Sequence, residues 1–153
     1  MKRESIYESD LIDADWLPEH NMLYITYKGE LVYESTQRAY QIGGQVLIER
    51  GGDSFEGIIG DFRQVTGFPN TNISTVQKNS KQANKQHDMS AFGVALLVEN
   101  MMQETFVKVT MEVTNTSYHS RIVHSLDEAF EFLQDYRAKH AQPQHNASDE
   151  KNK

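Results

Sequence analysis

The sequence predicts a single α/β domain with a mixed, mostly parallel β-sheet, an N-terminal hairpin and four helices. Three observations predict it. Two short apolar runs, GIIGDF at 57–62 and FGVALLV at 92–98, have the character of strands covered on both faces. Amphipathic stretches of helical period alternate with these runs, which is the pattern of a layered α/β domain. Near the start, LIDADWL and MLYITYKG flank PEHN, a strand–turn–strand signal. The length of 153 residues matches one domain with one core.

Taken in order, residues 1–10 are expected to be a flexible N-terminus, 11–140 the α/β domain and 141–153 a disordered tail, since AQPQHNASDEKNK offers almost no apolar side chains to offset ordering entropy. In the second strand, Leu23, Ile25 and Tyr27 alternate with Met22, Tyr24 and Thr26, so both faces are apolar and the strand should be interior. Over 31–50, Val32, Thr36, Ala39, Gly43, Val46 and Leu47 gather on one helical face, and Gly51-Gly52 stops the helix. A polar helix is expected over 72–86, with Ile73, Val76 and Ala83 as a thin apolar stripe. Asn100 should cap a helix over 101–114 with Gln103 as reciprocal partner, and Met102, Phe106, Val109 and Val113 form its expected inward face. RIVH at 121–124 is a short strand. The last helix, 126–139, opens on the capping box Ser125-Leu126-Asp127-Glu128, and Leu126, Ala129, Phe130 and Leu133 form its apolar stripe.

Composition narrows the function. A net charge of −7 with no basic cluster opposes nucleic-acid binding, which rests on cations neutralising phosphates. The absence of cysteine removes disulfides, thiolate metal sites and a thiol nucleophile, and fits a cytoplasmic setting. The longest apolar run, 94–98, is too short to span a bilayer, so no stable membrane insertion is expected. The start, MKRESIYESD, has no apolar segment of a secretory leader.

The stretches YITYKGEL at 24–31, GIIGDFRQVT at 57–66, FGVALLVEN at 92–100 and IVHSLDEAFEFL at 122–133 together resemble the STAS and SpoIIAA-like family, the domain type of bacterial anti-sigma factor antagonists. The resemblance covers roughly 11–139 and rests on pattern more than identity. It implies a non-enzymatic bacterial regulatory domain that acts by binding another protein. In the antagonists the third strand runs into a pattern like Asp-Leu-Ser-x-Val-x-x-x-Asp-Ser-Ser-Gly, whose serine after the second Asp is phosphorylated. Here Asp61 and Val65 match, whereas Pro69 replaces the second Asp, Asn70 the acceptor serine and Asn72 the glycine. An amide cannot accept a phosphoryl group, so the switch of the family is absent at that position. Thr71 and Ser74 remain as neighbouring hydroxyls, and their simpler use is to cap the helix that follows.

The candidate partner-binding loop therefore comprises Asp61, Arg63, Thr66, Asn70, Thr71 and Ser74, near the carboxyl ends of the strands where open α/β sheets bind. An Asp61–Arg63 pair that only maintains the fold is the simpler reading. The alternative is a small apolar ligand or lipid held between the first helix and the sheet by Tyr27, Tyr40 and Phe106, although tyrosines there more often pack the core. No cofactor and no metal site are expected. His20, His140 and His145 read as surface residues, and His119 and His124, five apart, point to opposite faces of one strand. His87-Asp88 and Ser117-Tyr118-His119-Ser120 lack the converging groups of a catalytic site. Met101 is free to offer an adaptable contact surface, while Met102 is expected in the core. Homodimerisation is left open.

Overall fold

The computed structural model describes residues 1–50, 54–67, 92–114 and 119–140. Six strands, β1 (Glu4–Glu8), β2 (Ile12–Leu17), β3 (Met22–Glu30), β4 (Gly57–Gly67), β5 (Gly93–Leu97) and β6 (Ser120–Val123), lie side by side in chain order in one sheet. The pairs β1–β2 and β2–β3 are antiparallel, and β3–β4, β4–β5 and β5–β6 are parallel. The sheet is thus mixed rather than mostly parallel, because the hairpin gains a third antiparallel strand. Among the described residues there are three helices, α1 (Tyr33–Arg50), α2 (Met101–Thr114) and α3 (Leu126–His140), where four were expected; the expected helix at 72–86 lies outside the described residues. So does the expected tail, 141–153. None of the described helices is long and apolar enough to cross a membrane.

Two faces of the sheet are covered differently. Ala39, Ile42 and Val46 of α1 pack with Ile12, Ala14, Trp16, Leu23, Ile25 and Ile58. On the same side, Val107 of α2 joins Leu31, Phe62, Val65 and Val98. On the other, Ala129 and Leu133 of α3 close over Leu17, Met22, Tyr24, Ile59, Ala95, Leu97 and Val123. Burial of these apolar side chains, each contributing about 1.5–3 kcal/mol, is the main force joining the layers.

The N-terminal residues expected to be flexible form β1 instead. Its charged sequence hides the strand from a search for apolar alternation, yet the charges find partners: Arg50 Nη1 lies 3.6 Å from Glu4 Oε2 and Arg3 Nη1 3.9 Å from Asp15 Oδ2. The hairpin turn places Asn21 in the left-handed region, φ 53°, which a short polar side chain tolerates.

Both capping motifs form with a shared variation. Asn100 Oδ1 accepts from the Gln103 amide at 2.9 Å and Ser125 Oγ from the Glu128 amide at 3.1 Å. The return bonds reach one residue further back than a capping box requires, from the Glu99 amide to Gln103 Oε1 and from the His124 amide to Glu128 Oε2. The expected inward face of α2 is rotated. Met102 and Val109 are 42% and 45% exposed, whereas Gln103 and Val107 are buried. A buried polar residue, Gln103, sets the phase that an apolar count misplaces. Val113 falls among side chains outside the description.

Close packing of α3 depends on glycine. Gly57 and Gly93 face each other across β4 and β5; a Cβ on Gly57 would stand 2.8 Å from Leu133 Cδ2, and one on Gly93 would stand 3.1 Å from Phe132 Cε2. Gly57 also has φ +151°, a conformation that side chains resist.

Candidate functional site

β4 outruns one of its neighbours. Pairing with β5 ends at Asp61 opposite Leu97, but pairing with β3 continues to Gly67 opposite Glu30. Two irregularities interrupt the β3 register, each inserting a residue into β4: one at 62–63 and one at Thr66. Bulges of this kind bend and twist a strand and re-aim its side chains. Residues 62–67 therefore project as a tip, and β4 is longer than the 57–62 strand expected from sequence.

In place of a second strand, α2 holds this tip. Gln103 Nε2 donates to the carbonyls of Arg63 (3.2 Å) and Val65 (3.1 Å). With its Oε1 accepting from Glu99 N, a side chain only 2% exposed has both ends satisfied, as burial demands. The tip and, forty residues away, the β5–α2 turn with Asn100 and α2 become one unit.

Beneath the tip a buried carboxylate, Asp61, is paired with the partly exposed Arg63. The Asp61 carboxylate, in a residue 4% exposed, accepts the Tyr24 hydroxyl at 2.5 Å and the Arg63 Nη2 at 2.9 Å on Oδ2, and the Arg63 backbone amide and Nε, each at 3.0 Å, on Oδ1. Arg3 of the N-terminal segment lies over the Tyr24 ring, 4.2 Å from its centroid. Burial works against ionisation of Asp61, but the hydrogen bonds from Arg63 and Tyr24 and the guanidinium charge outweigh it and hold its pKa below the usual carboxylate range. The same contacts raise the pKa of Arg63, through its hydrogen bond to Asp61 foremost. Burial, and then the hydrogen bond to Asp61, push the Tyr24 hydroxyl up to about 12. Asp61 is consequently an ionised anion with both oxygens engaged by two donors each. Such a group fixes geometry; it has no lone pair poised to take a proton from a substrate.

No protein-family model matches the chain, and no curated protein matches it. Among solved structures it is similar to an uncharacterised DUF3478-family protein with a SpoIIAA-like fold from Shewanella loihica PV-4, at 12% identity and TM-score 0.48, over 86% of this chain and 92% of that one. It is also similar to the anti-sigma factor antagonist SpoIIAA in its unphosphorylated form, at 10% identity and TM-score 0.46, over 85% of this chain and 96% of that one.

The candidate residues fall into two groups. Asp61 and Arg63 are together, and Thr66 is exposed at the second bulge of the tip. Asn70, Thr71 and Ser74, with Pro69, lie outside the described residues. The residues of the alternative pocket lie near one another, Tyr27 and Phe106 against one cluster and Tyr40 close enough to act on the Tyr27 hydroxyl. Tyr27 stacks on Phe62 with centroids 4.5 Å apart and touches both clusters on the α1 side, Phe106 packs in the α2 cluster, and Tyr40 is half-buried on α1. Burial raises the Tyr27 hydroxyl pKa, with Tyr40 adding to the effect. His119 is buried, and its pKa is lowered by that burial against an opposing backbone hydrogen bond with Phe92. His124 is exposed 3.6 Å from Glu104, and His20 stacks on Phe130 at 4.2 Å. His87-Asp88 and Ser117 lie outside the described residues. Among the described residues no three His, Asp or Glu side chains gather as a metal site would need.

Sequence reasoning missed Tyr24, Gln103 and Arg3. Gln103 carried a signal, its place three residues after a capping Asn, but that reads as a local cap and gives no hint of a reach to β4. Tyr24 reads as a core aromatic, and only the parallel register of β3 with β4 brings its hydroxyl to Asp61.

Proposed function

We propose that the protein is a non-enzymatic regulatory domain that binds another protein through the β4 tip and the start of α2, without a phospho-acceptor at Asn70. The observation that carries this reading is the clamp. Gln103 and Asp61 hold Arg63, Gln64 and Thr66, all exposed, in one rigid arrangement beside Met101 (82% exposed) and Met102. Pre-ordering such a surface lowers the entropy lost on association. Methionines at the rim supply adaptable apolar contact. The resemblance of the sequence to the anti-sigma factor antagonists supports the choice of a protein partner and a cytoplasmic, bacterial setting.

Site-specific photo-crosslinking in the native host tests it. A crosslinker at Thr66 or Met101 is expected to trap a discrete protein that one at Ile48, exposed on α1, does not. Equal capture at both places, or none at the tip, would sink the reading. Intact-mass analysis of the same sample is expected to show no phosphate; a phosphate on Thr71 or Ser74 would restore a switch to this loop.

A further inference from the structure

The edge of the sheet at β1 carries a second surface. β1 is its outermost strand, and among the described residues no strand pairs with its outer edge. Next to that edge, the β1–β2 turn and the first turns of α1 enclose a groove of about 450 Å³. This volume is in the range of sites that bury a ligand or a peptide side chain. Glu34, Gln37 and Arg38 form part of one stripe of α1 along the groove, and Tyr7 and Leu11 form a floor that packs against the core beneath. The turn wall is fixed by Ser9, whose hydroxyl accepts from the amides of Leu11 (3.2 Å) and Ile12 (3.0 Å) and donates to the Ile12 carbonyl (2.9 Å).

The chemistry of this groove favours a cation. The Tyr7 ring already receives one, the Arg38 guanidinium, 5.6 Å from its centroid. Asp10 and Glu34 stand exposed at the rim. We propose that the free edge of β1 and this groove together bind an extended, cationic peptide segment of another protein, which pairs with the Glu4–Glu8 backbone and lays a Lys or Arg side chain between the exposed carboxylates of Asp10 and Glu34, beside the Tyr7 ring that Arg38 already covers. Strand addition supplies the backbone bonds, and the groove supplies selectivity for alternate side chains. A second copy of the chain fits less well. Paired antiparallel about Ile6, it would bring its Glu4, which the register with Trp16 places on the helix side of the sheet, toward Asp10 and Glu34. The surface is separate from the β4 tip, so either proposal can fail without the other.

Short random peptides displayed on phage, panned against the full chain, provide the test, with the most enriched peptide then synthesised. Enrichment of Lys or Arg at alternate positions is expected. Glu34→Lys, a change at an exposed position, is expected to weaken binding of that peptide about tenfold or more while lowering the thermal melt by only a few degrees, the cost of a cation in the first turn of α1. Peptide is also expected to slow amide exchange at residues 4–8. Absence of enrichment, affinity indifferent to Glu34→Lys, or slowed exchange away from β1 would overturn the proposal. Concentration-dependent dimerisation that slows exchange of the β1 amides without peptide would overturn it in favour of a second copy.

Discussion

The two halves of β4 are held by different physics. Residues 57–61 have a strand on both sides and helices on both faces, so backbone ladders and apolar burial secure them redundantly. Residues 62–67 keep one ladder, broken by two bulges, and depend on Gln103 and Asp61 for the rest. A buried amide and a buried carboxylate here stand in for a missing strand. The difference teaches that a binding surface can be kept rigid at a sheet's end without extending the sheet, through side chains whose loss is felt locally.

That contrast can be broken from either side. Ile59→Ala, at a fully buried position in the first half, should destabilise the domain by about 2–5 kcal/mol and lower the melting temperature of all probes together. Asp61→Ala should cost about 1–3 kcal/mol, because it strands the buried Tyr24 hydroxyl and leaves Arg63 without its carboxylate. The same carboxylate sets an acid limit. Its folded pKa lies below the unfolded value of about 3.9, so its contribution is fully present above that value and is lost as pH falls through the folded pKa. Urea melts across acid pH should show this loss, and Tyr24→Phe should reduce it by bringing the folded pKa back toward the unfolded one.

Smaller effects sharpen the comparison. Arg63→Ala should cost about 1–2 kcal/mol: the guanidinium is 39% exposed and water screens it, but its loss leaves a carboxylate only 6% exposed without two of its four donors. Crosslinking from Thr66 should also fall, because the guanidinium belongs to the proposed surface. Gln103→Ala should cost about 1 kcal/mol globally, yet speed amide exchange at 62–67 with 57–61 unchanged. Equal acceleration in both halves would show that the tip is not separately held.

How far these features were legible in the sequence depends on how local their causes are. The β5 run, the α1 stripe around Ala39 and Val46, and both capping residues are written in short-range pattern, and each formed as expected. The Asp61–Arg63 pair was legible for the same reason, two residues in one stretch. β1 was not, because its stability comes from cross-strand and cation contacts to Asp15, Tyr24 and Arg50 rather than from its own apolar content. The length of β4 was hidden by the polar residues Arg63, Gln64 and Thr66, whose support arrives from forty residues away at Gln103. The phase of α2 failed on that same residue: Met102, Phe106 and Val109 satisfy an apolar period, and only the demand of two open carbonyls turns the helix to bury an amide.

The paired glycines under α3 carry one more consequence. Gly57 and Gly93 form a keyway in the sheet into which Leu133 drops. A slip of the helix along its axis by one turn, about 5.4 Å, would bring Ala129 or Arg137 over that slot. The first would leave a void and the second would press a charged stem into a dry recess. Docking of α3 is thereby indexed to a single longitudinal setting, so the helix that closes this face of the domain is seated like a key, with one depth at which it turns.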